Sequence, residues 1–155
     1  MKISTISVAC LALALAACKS ETASSSAEWK AKIPATAPIS GSLVVVGTLQ
    51  PTSGAFPAND LYKYAFVMKY AIDSVVSGTF AGTEILVGQY DPRTPRATIS
   101  DDQKGKVGGN VDGFHPGDRH YLVLSPMDSA WTGAVEDDNF QDKSPRWFAV
   151  WSDKI

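Results

Sequence analysis

From Tyr62 to Ile72 every second residue is large and apolar: Tyr62, Tyr64, Phe66, Met68, Tyr70 and Ile72. An extended chain turns successive side chains to opposite faces, so all six share one face, and the pattern is that of a buried sheet face. The other face runs through Lys63, Ala65, Val67, Lys69, Ala71 and Asp73, which suits a surface partly solvated and partly covered. Beyond Val75 and Val76 the segment Ser77-Gly78-Thr79-Phe80-Ala81-Gly82 turns the chain, and Glu84 to Tyr90 returns as a second strand. A hairpin alone is marginal in water, so the rest of the chain has to close over the aromatic face.

The same alternation predicts three more strands. Ser42 to Gln50 sets Leu43, Val45 and Leu49 against Val44, Val46 and Thr48, with Gly47 marking a bend or bulge. Arg119 to Ser125 alternates His120, Leu122 and Leu124 with Tyr121 and Val123, and Arg146 to Trp151 is the last strand. Between Asp91 and Asp118 lie 28 residues with little β pattern, opened by Asp91-Pro92-Arg93-Thr94-Pro95-Arg96. Ser100-Asp101-Asp102-Gln103 fits a capping box for a short helix, which Gly105, Gly108 and Gly109 keep from running far. A second irregular stretch runs from Pro126 to Pro145. Five strands without a long helix argue for an all-β fold, a small closed or nearly closed barrel.

The stretch Val75-Val76-Ser77-Gly78, then Ile85-Leu86-Val87, then Phe114-His115-Pro116-Gly117-Asp118-Arg119-His120-Tyr121-Leu122-Val123-Leu124 resembles the OB-like barrels of the netrin and metalloproteinase-inhibitor type. The resemblance covers roughly residues 42 to 125. It implies a five-stranded OB-like barrel with a long loop, room for a short helix, between strands three and four. Inhibitory members of that family use a free amino-terminal cysteine and several disulfides. This chain has only Cys10 and Cys18, so inhibition does not carry over.

The amino terminus has a different character. Lys2 is followed by an apolar run too short to span a bilayer, with the proportions of a secretory signal. It ends at Leu15-Ala16-Ala17-Cys18, which is similar to the lipobox of bacterial lipoproteins in all four positions. That resemblance implies removal of residues 1–17, lipidation of Cys18, and a stable anchor in the bacterial cell envelope through two or more acyl chains. In a diderm cell Lys19 is compatible with sorting to the outer membrane. Cys10 leaves with the leader, so the mature chain forms no internal disulfide. Residues 18–40 then read as a lipidated cysteine and flexible tether of Ser, Ala, Thr, Lys, Glu and Pro, and residues 41–155 as a single β-barrel domain. Trp29 interrupts the tether and suits lipid headgroups, docking on the domain, or a plain loop.

Charge removes one function class. The 155 residues carry sixteen acidic and fourteen basic side chains, a net charge of -2, and the basic ones are scattered. A nucleic-acid footprint needs them clustered, so nucleic acid is not an expected partner. Catalytic signals are weak. No Gly-x-Ser-x-Gly phrase occurs for a strained nucleophile. Asn110, Asp112, His115, Asp118 and His120 supply ligand types for a metal but match no metal motif, and Asn and Asp are ordinary turn residues. Glu136-Asp137-Asp138 with Asp142 lacks the ligand alternation of a calcium loop. No catalytic residue, metal or cofactor is assigned.

His115 and His120, with the aromatic Trp131, Trp147 and Trp151, remain as candidate binding residues. On the last strand a regular alternation puts Trp147 and Trp151 on one face and Phe148 on the other, so one set points away from a core on one side. Outward tryptophans could stack on sugar rings or a partner protein, while the ordinary expectation is that they cover the barrel end. The expected function is a non-catalytic envelope lipoprotein, anchored to the lipid bilayer through Cys18, whose barrel binds an envelope protein or surface polysaccharide through its loops. The alternative is an enzyme or accessory subunit acting on surface polysaccharide through the His115–His120 loop.

Overall fold

A computed structural model describes residues 28–33, 35, 42–52, 63–100, 102 and 106–155. The leader, the lipobox with Cys18, Tyr62, and Asp101 and Gln103 of the capping box lie outside the described residues. The strands are β1 (Leu43–Leu49), β2 (Tyr64–Ser77), β3 (Glu84–Tyr90), β4 (Gly108–Gly109), β5 (Arg119–Pro126), β6 (Ala134–Glu136) and β7 (Arg146–Lys154). Five of them close a ring in the order β1-β5-β7-β3-β2, with β2 pairing back to β1. Every joint is antiparallel except β3 to β7. This is the small five-stranded OB-like barrel expected from the sequence, and closure leaves the main strands without a long open edge.

The interior is built by period-two alternation. Tyr64, Phe66, Met68 and Tyr70 of β2 meet Leu43, Val45 and Leu49 of β1, Ile85 and Val87 of β3, Leu122 and Leu124 of β5, and Ala149 of β7. Burying each such large side chain contributes about 1.5–3 kcal/mol, which outweighs the modest net worth of any single ladder hydrogen bond. At the bend in β1 the register against β2 shifts between Val46 and Gly47. Gly47 faces inward and pairs with His120, and its missing side chain makes room for Tyr70.

The barrel is also covered outside. Ala65, Val67, Leu86 and Phe148 pack under Tyr90, Ile99, Val107 and Met127. On the far side Val44, Val46, Tyr121 and Val123 pack under Trp29, which is 4% exposed. Of the three environments that suit Trp29, the structure selects docking on the domain. Residues 28–30 are helical, and the stretch read as tether therefore reaches the folded body by Trp29.

Between β3 and β5 the described residues hold a 3-10 turn at Arg96–Thr98, following Pro95. The helix expected from Ser100 falls on residues that include Asp101 and Gln103, outside the described residues. Two further findings depart from the sequence reading. The second irregular stretch carries a helical turn, Met127–Ala130, and the short strand β6 beside β2. In β7 the register against β5 runs Val123 to Trp151 and then Leu124 to Ala149, leaving Val150 as an extra residue. That bulge reverses the parity of everything after it. Trp147 and Ala149 face the barrel interior while Trp151 packs outside with Trp29, so Trp147 and Trp151 do not share a face.

Among the described residues no helix is long and apolar enough to cross a membrane. Two substitutions test this architecture. Trp29→Ala should lower stability by about 3 kcal/mol in urea unfolding, as for other buried aromatics, and a loss near zero would return Trp29 to the tether. Gly109 sits at φ 118 beside β7, where a Cβ would collide with the Ser152 carbonyl. Gly109→Ala should therefore cost about 2 kcal/mol or more.

Candidate functional site

The structure does not bring the sequence-nominated residues together. His115 lies on an exposed turn, its Nδ1 3.4 Å from Asp118 Oδ2. His120 is on β5 with its ring wholly inside the barrel, 0% exposed, which removes it from direct contact with an external partner. Trp131 is half-buried, stacked at 5.2 Å on Phe148 and tilted against Tyr90, and its Nε1–H donates to the Ala134 carbonyl at 3.0 Å. Trp151 donates from Nε1 to Asp153 Oδ2 at 2.7 Å. These tryptophans are held by packing and internal hydrogen bonds, so removing one would mix loss of stability with any loss of binding. Cys18 lies outside the described residues.

Two groupings of polar side chains emerge instead. The first is inside the barrel. Arg96, 4% exposed, enters from the 3-10 turn and donates to the Tyr90 carbonyl at 2.7 Å and to Gln89 Oε1 at 3.0 Å. Ser152 Oγ also donates to Gln89 Oε1, at 3.0 Å. With its oxygen so occupied, Gln89 donates from Nε2 to the Tyr70 hydroxyl at 3.4 Å. The Tyr70 hydrogen is then free to go to His120 Nδ1 at 3.0 Å, and neutral His120 carries its own proton on Nε2. That Nε2 has no hydrogen-bond partner among the described residues. The Phe114 ring closes the group, with Arg96 over it at 5.2 Å and His120 edge-on at 5.4 Å.

Burial sets the titration of this chain. It lowers the Arg96 guanidinium to about 10 and raises the Tyr70 phenol. Burial also lowers His120 to about 4, the Asp118 carboxylate opposing and Lys154, Arg96 and His115 reinforcing the fall. For Asp118, burial pulls upward, but the Lys154 ammonium at 2.8 Å and His115 hold the carboxyl below its ordinary range. Gln89 was recognisable in advance, since it shares the inward parity of Ile85 and Val87. Arg96 was not, because no period describes the loop that carries it.

The second grouping is an open cleft of about 230 Å³ on the outside of β2 and β3, facing the chain that leads into β7. It is lined by Lys69, Glu84, Ile85, Leu86, Asp142 and Ser144. It exists because β3 meets β7 only from Leu86 and Arg146 onward, so the two chains stand apart before that pair. Lys69 Nζ lies 3.4 Å from Glu84 Oε2 and 5.7 Å from the centre of the Phe140 ring. Asp142 Oδ1 accepts from the Ser144 amide at 2.9 Å and from the Ser144 hydroxyl, which hold its carboxyl below the usual range. Arg146 is engaged by Asp137 at 2.9 Å and Asp142 at 3.4 Å. None of these residues belongs to a motif, and the sequence singled out only Asp137 and Asp142 as candidate ligands, in an acidic run without the alternation of a calcium loop.

Among the described residues no three His, Cys, Asp or Glu side chains are grouped so as to hold a metal ion. No family model, curated protein or solved structure matches the chain.

The buried histidine gives a pH dependence with a definite sign. Its folded pKa of about 4 lies below the 6.5 of an exposed imidazole, so between those values the unfolded chain binds more protons. Stability should therefore be full above pH 6.5 and fall towards pH 4, by up to about 3 kcal/mol. Urea unfolding from pH 7 to 4 measures this. His120→Gln should flatten the profile over that window, and a profile unchanged by the substitution would place the titration elsewhere.

Proposed function

We propose that this protein is a non-catalytic lipoprotein of the bacterial envelope, in which a barrel held close to the membrane binds an envelope component. The anchor rests on Leu15-Ala16-Ala17-Cys18 at the end of an apolar leader. Ten residues separate Cys18 from Trp29, where the chain joins the domain. Fully extended they reach at most about 40 Å, so the barrel stays near the headgroups.

The observation that carries the binding reading is the Lys69, Glu84, Asp142 and Ser144 cleft. OB barrels commonly take ligands on the outer face of strands two and three. Here Met127 and Trp131 pack over part of that face, and the cleft opens on another part of it. The polysaccharide-enzyme alternative draws no support from His120, whose imidazole is enclosed, or from His115, whose side chain is 73% exposed and paired with Asp118.

Two experiments test the reading. Palmitate should label the wild-type chain and not Cys18→Ser, which should also leave the membrane fraction; label retained in the variant would remove the anchor. Cys18→Ser protein added to isolated envelopes should sediment with them, and adding Lys69→Ala with Asp142→Ala should weaken that retention by about tenfold, the value of one charged hydrogen bond. Equal sedimentation would exclude the cleft.

A further inference from the structure

The cleft's polar groups are already tied to one another. Lys69 is held by Glu84, Asp142 by Ser144 and Arg146, and Arg146 in turn by Asp137. Each nonetheless keeps capacity for a further bond. The Lys69 ammonium has three hydrogens, and each carboxylate accepts at both oxygens. The Glu84 and Asp142 side chains are 55% and 50% exposed. Groups fixed in this way lose little conformational freedom when a ligand arrives.

Resting on the binding reading above, we infer that the cleft recognises the hydroxyl groups of a saccharide rather than a segment of protein. A hydroxyl both donates and accepts. It can therefore bridge Lys69 and Glu84, or Asp142 and Ser144, without separating either pair. A lysine or arginine from a peptide would instead compete with Lys69 for Glu84 and with Arg146 for Asp142, and an acidic side chain would meet two carboxylates. An apolar protein contact is also poorly served. The large hydrophobic residues most exposed among those described are Val75, Val76 and Val135, none of which lines the cleft, while Ile85 and Leu86 on its floor are buried. Protein interfaces draw most of their energy from a buried apolar or aromatic centre. The volume of about 230 Å³ suits one or two sugar rings better than an interface.

The test is an amide NMR titration of Cys18→Ser protein with the neutral saccharides cellotetraose, chitotetraose and mannotetraose, each to about 10 mM, with an oligolysine peptide as the competing class. At least one saccharide should shift the amides of residues 84–86 and 142–146. Its affinity should change less than about twofold between low and high salt, since neutral hydroxyls are not screened. Glu84→Gln and Lys69→Met, both at partly exposed positions, should each weaken it by about tenfold while leaving the rest of the spectrum in place. If no saccharide shifts those amides and oligolysine does, with salt sensitivity, the saccharide assignment is overturned and the binding module stands. If neither shifts them while the protein still sediments with envelopes, the assignment is likewise overturned. If sedimentation also fails, both readings fall.

Discussion

Arg96 brings a positive charge into the end of a barrel whose other contents are mostly hydrocarbon. A guanidinium so placed is tolerable only when acceptors take its hydrogens, and here the Tyr90 carbonyl and Gln89 Oε1 do so. Much else depends on that arrangement. It fixes the orientation of the Gln89 amide, and through it the direction of the bonds to Tyr70 and His120. It also ties the 91–118 segment to the barrel, since the Arg96 amide donates to the Val111 carbonyl at 2.8 Å and its side chain lies over Phe114. A long connection that holds only a 3-10 turn and the short β4 among its described residues is thereby made into a stopper. Leaving any member unpaired would cost more than the net worth of the bond it makes, which is why the group behaves as a unit.

The outer layers follow from a second constraint. A barrel of five strands turns half of its side chains outward, and many of these are apolar: Val44, Val46, Val67, Leu86, Tyr121, Val123 and Phe148. Left in water they would be a large sticky surface. Met127, Trp131 and Ile99 cover one side and Trp29 the other. Coverage narrows where an external ligand can bind. Part of the outer face of β2 and β3 is occupied, and among the described residues a cleft opens where β3 and β7 stand apart. The tryptophans that look like a binding surface along the chain are in large part this cover.

Function and location are thus separated along the chain. In the proposed reading the amino-terminal residues supply the anchor, the ten residues before Trp29 limit how far the barrel can stand from it, and the contact lies on the wall between β3 and the entry to β7. The alternation in β2 assigns its large side chains to scaffold, and the histidine on β5 belongs to the same scaffold, tied to Tyr70. Charge is what distinguishes the cleft, because ion pairs at a surface contribute little to stability and are free to serve recognition.

The sequence by itself determined the strands and their inward faces. Period-two alternation is a local property, and a strand with one buried face cannot shift by a residue without exposing that whole face. The strands read over Ser42 to Gln50, Tyr62 to Val76, Glu84 to Tyr90 and Arg119 to Ser125 were legible for that reason, while Ser77 and Pro126, read as turn and loop, end β2 and β5. What only the tertiary structure decided depends on contacts between distant segments. The bulge at Val150 arises from pairing with Val123 and Leu124, and it alone separates Trp147 from Trp151. The entry of Arg96 into the barrel depends on acceptors from β3, and the burial of Trp29 on an outer face of β1 and β5. The cleft needs Lys69, Glu84 and Asp142 in one place, and no periodicity along a chain encodes the meeting of a sheet face with a loop that folds back over it.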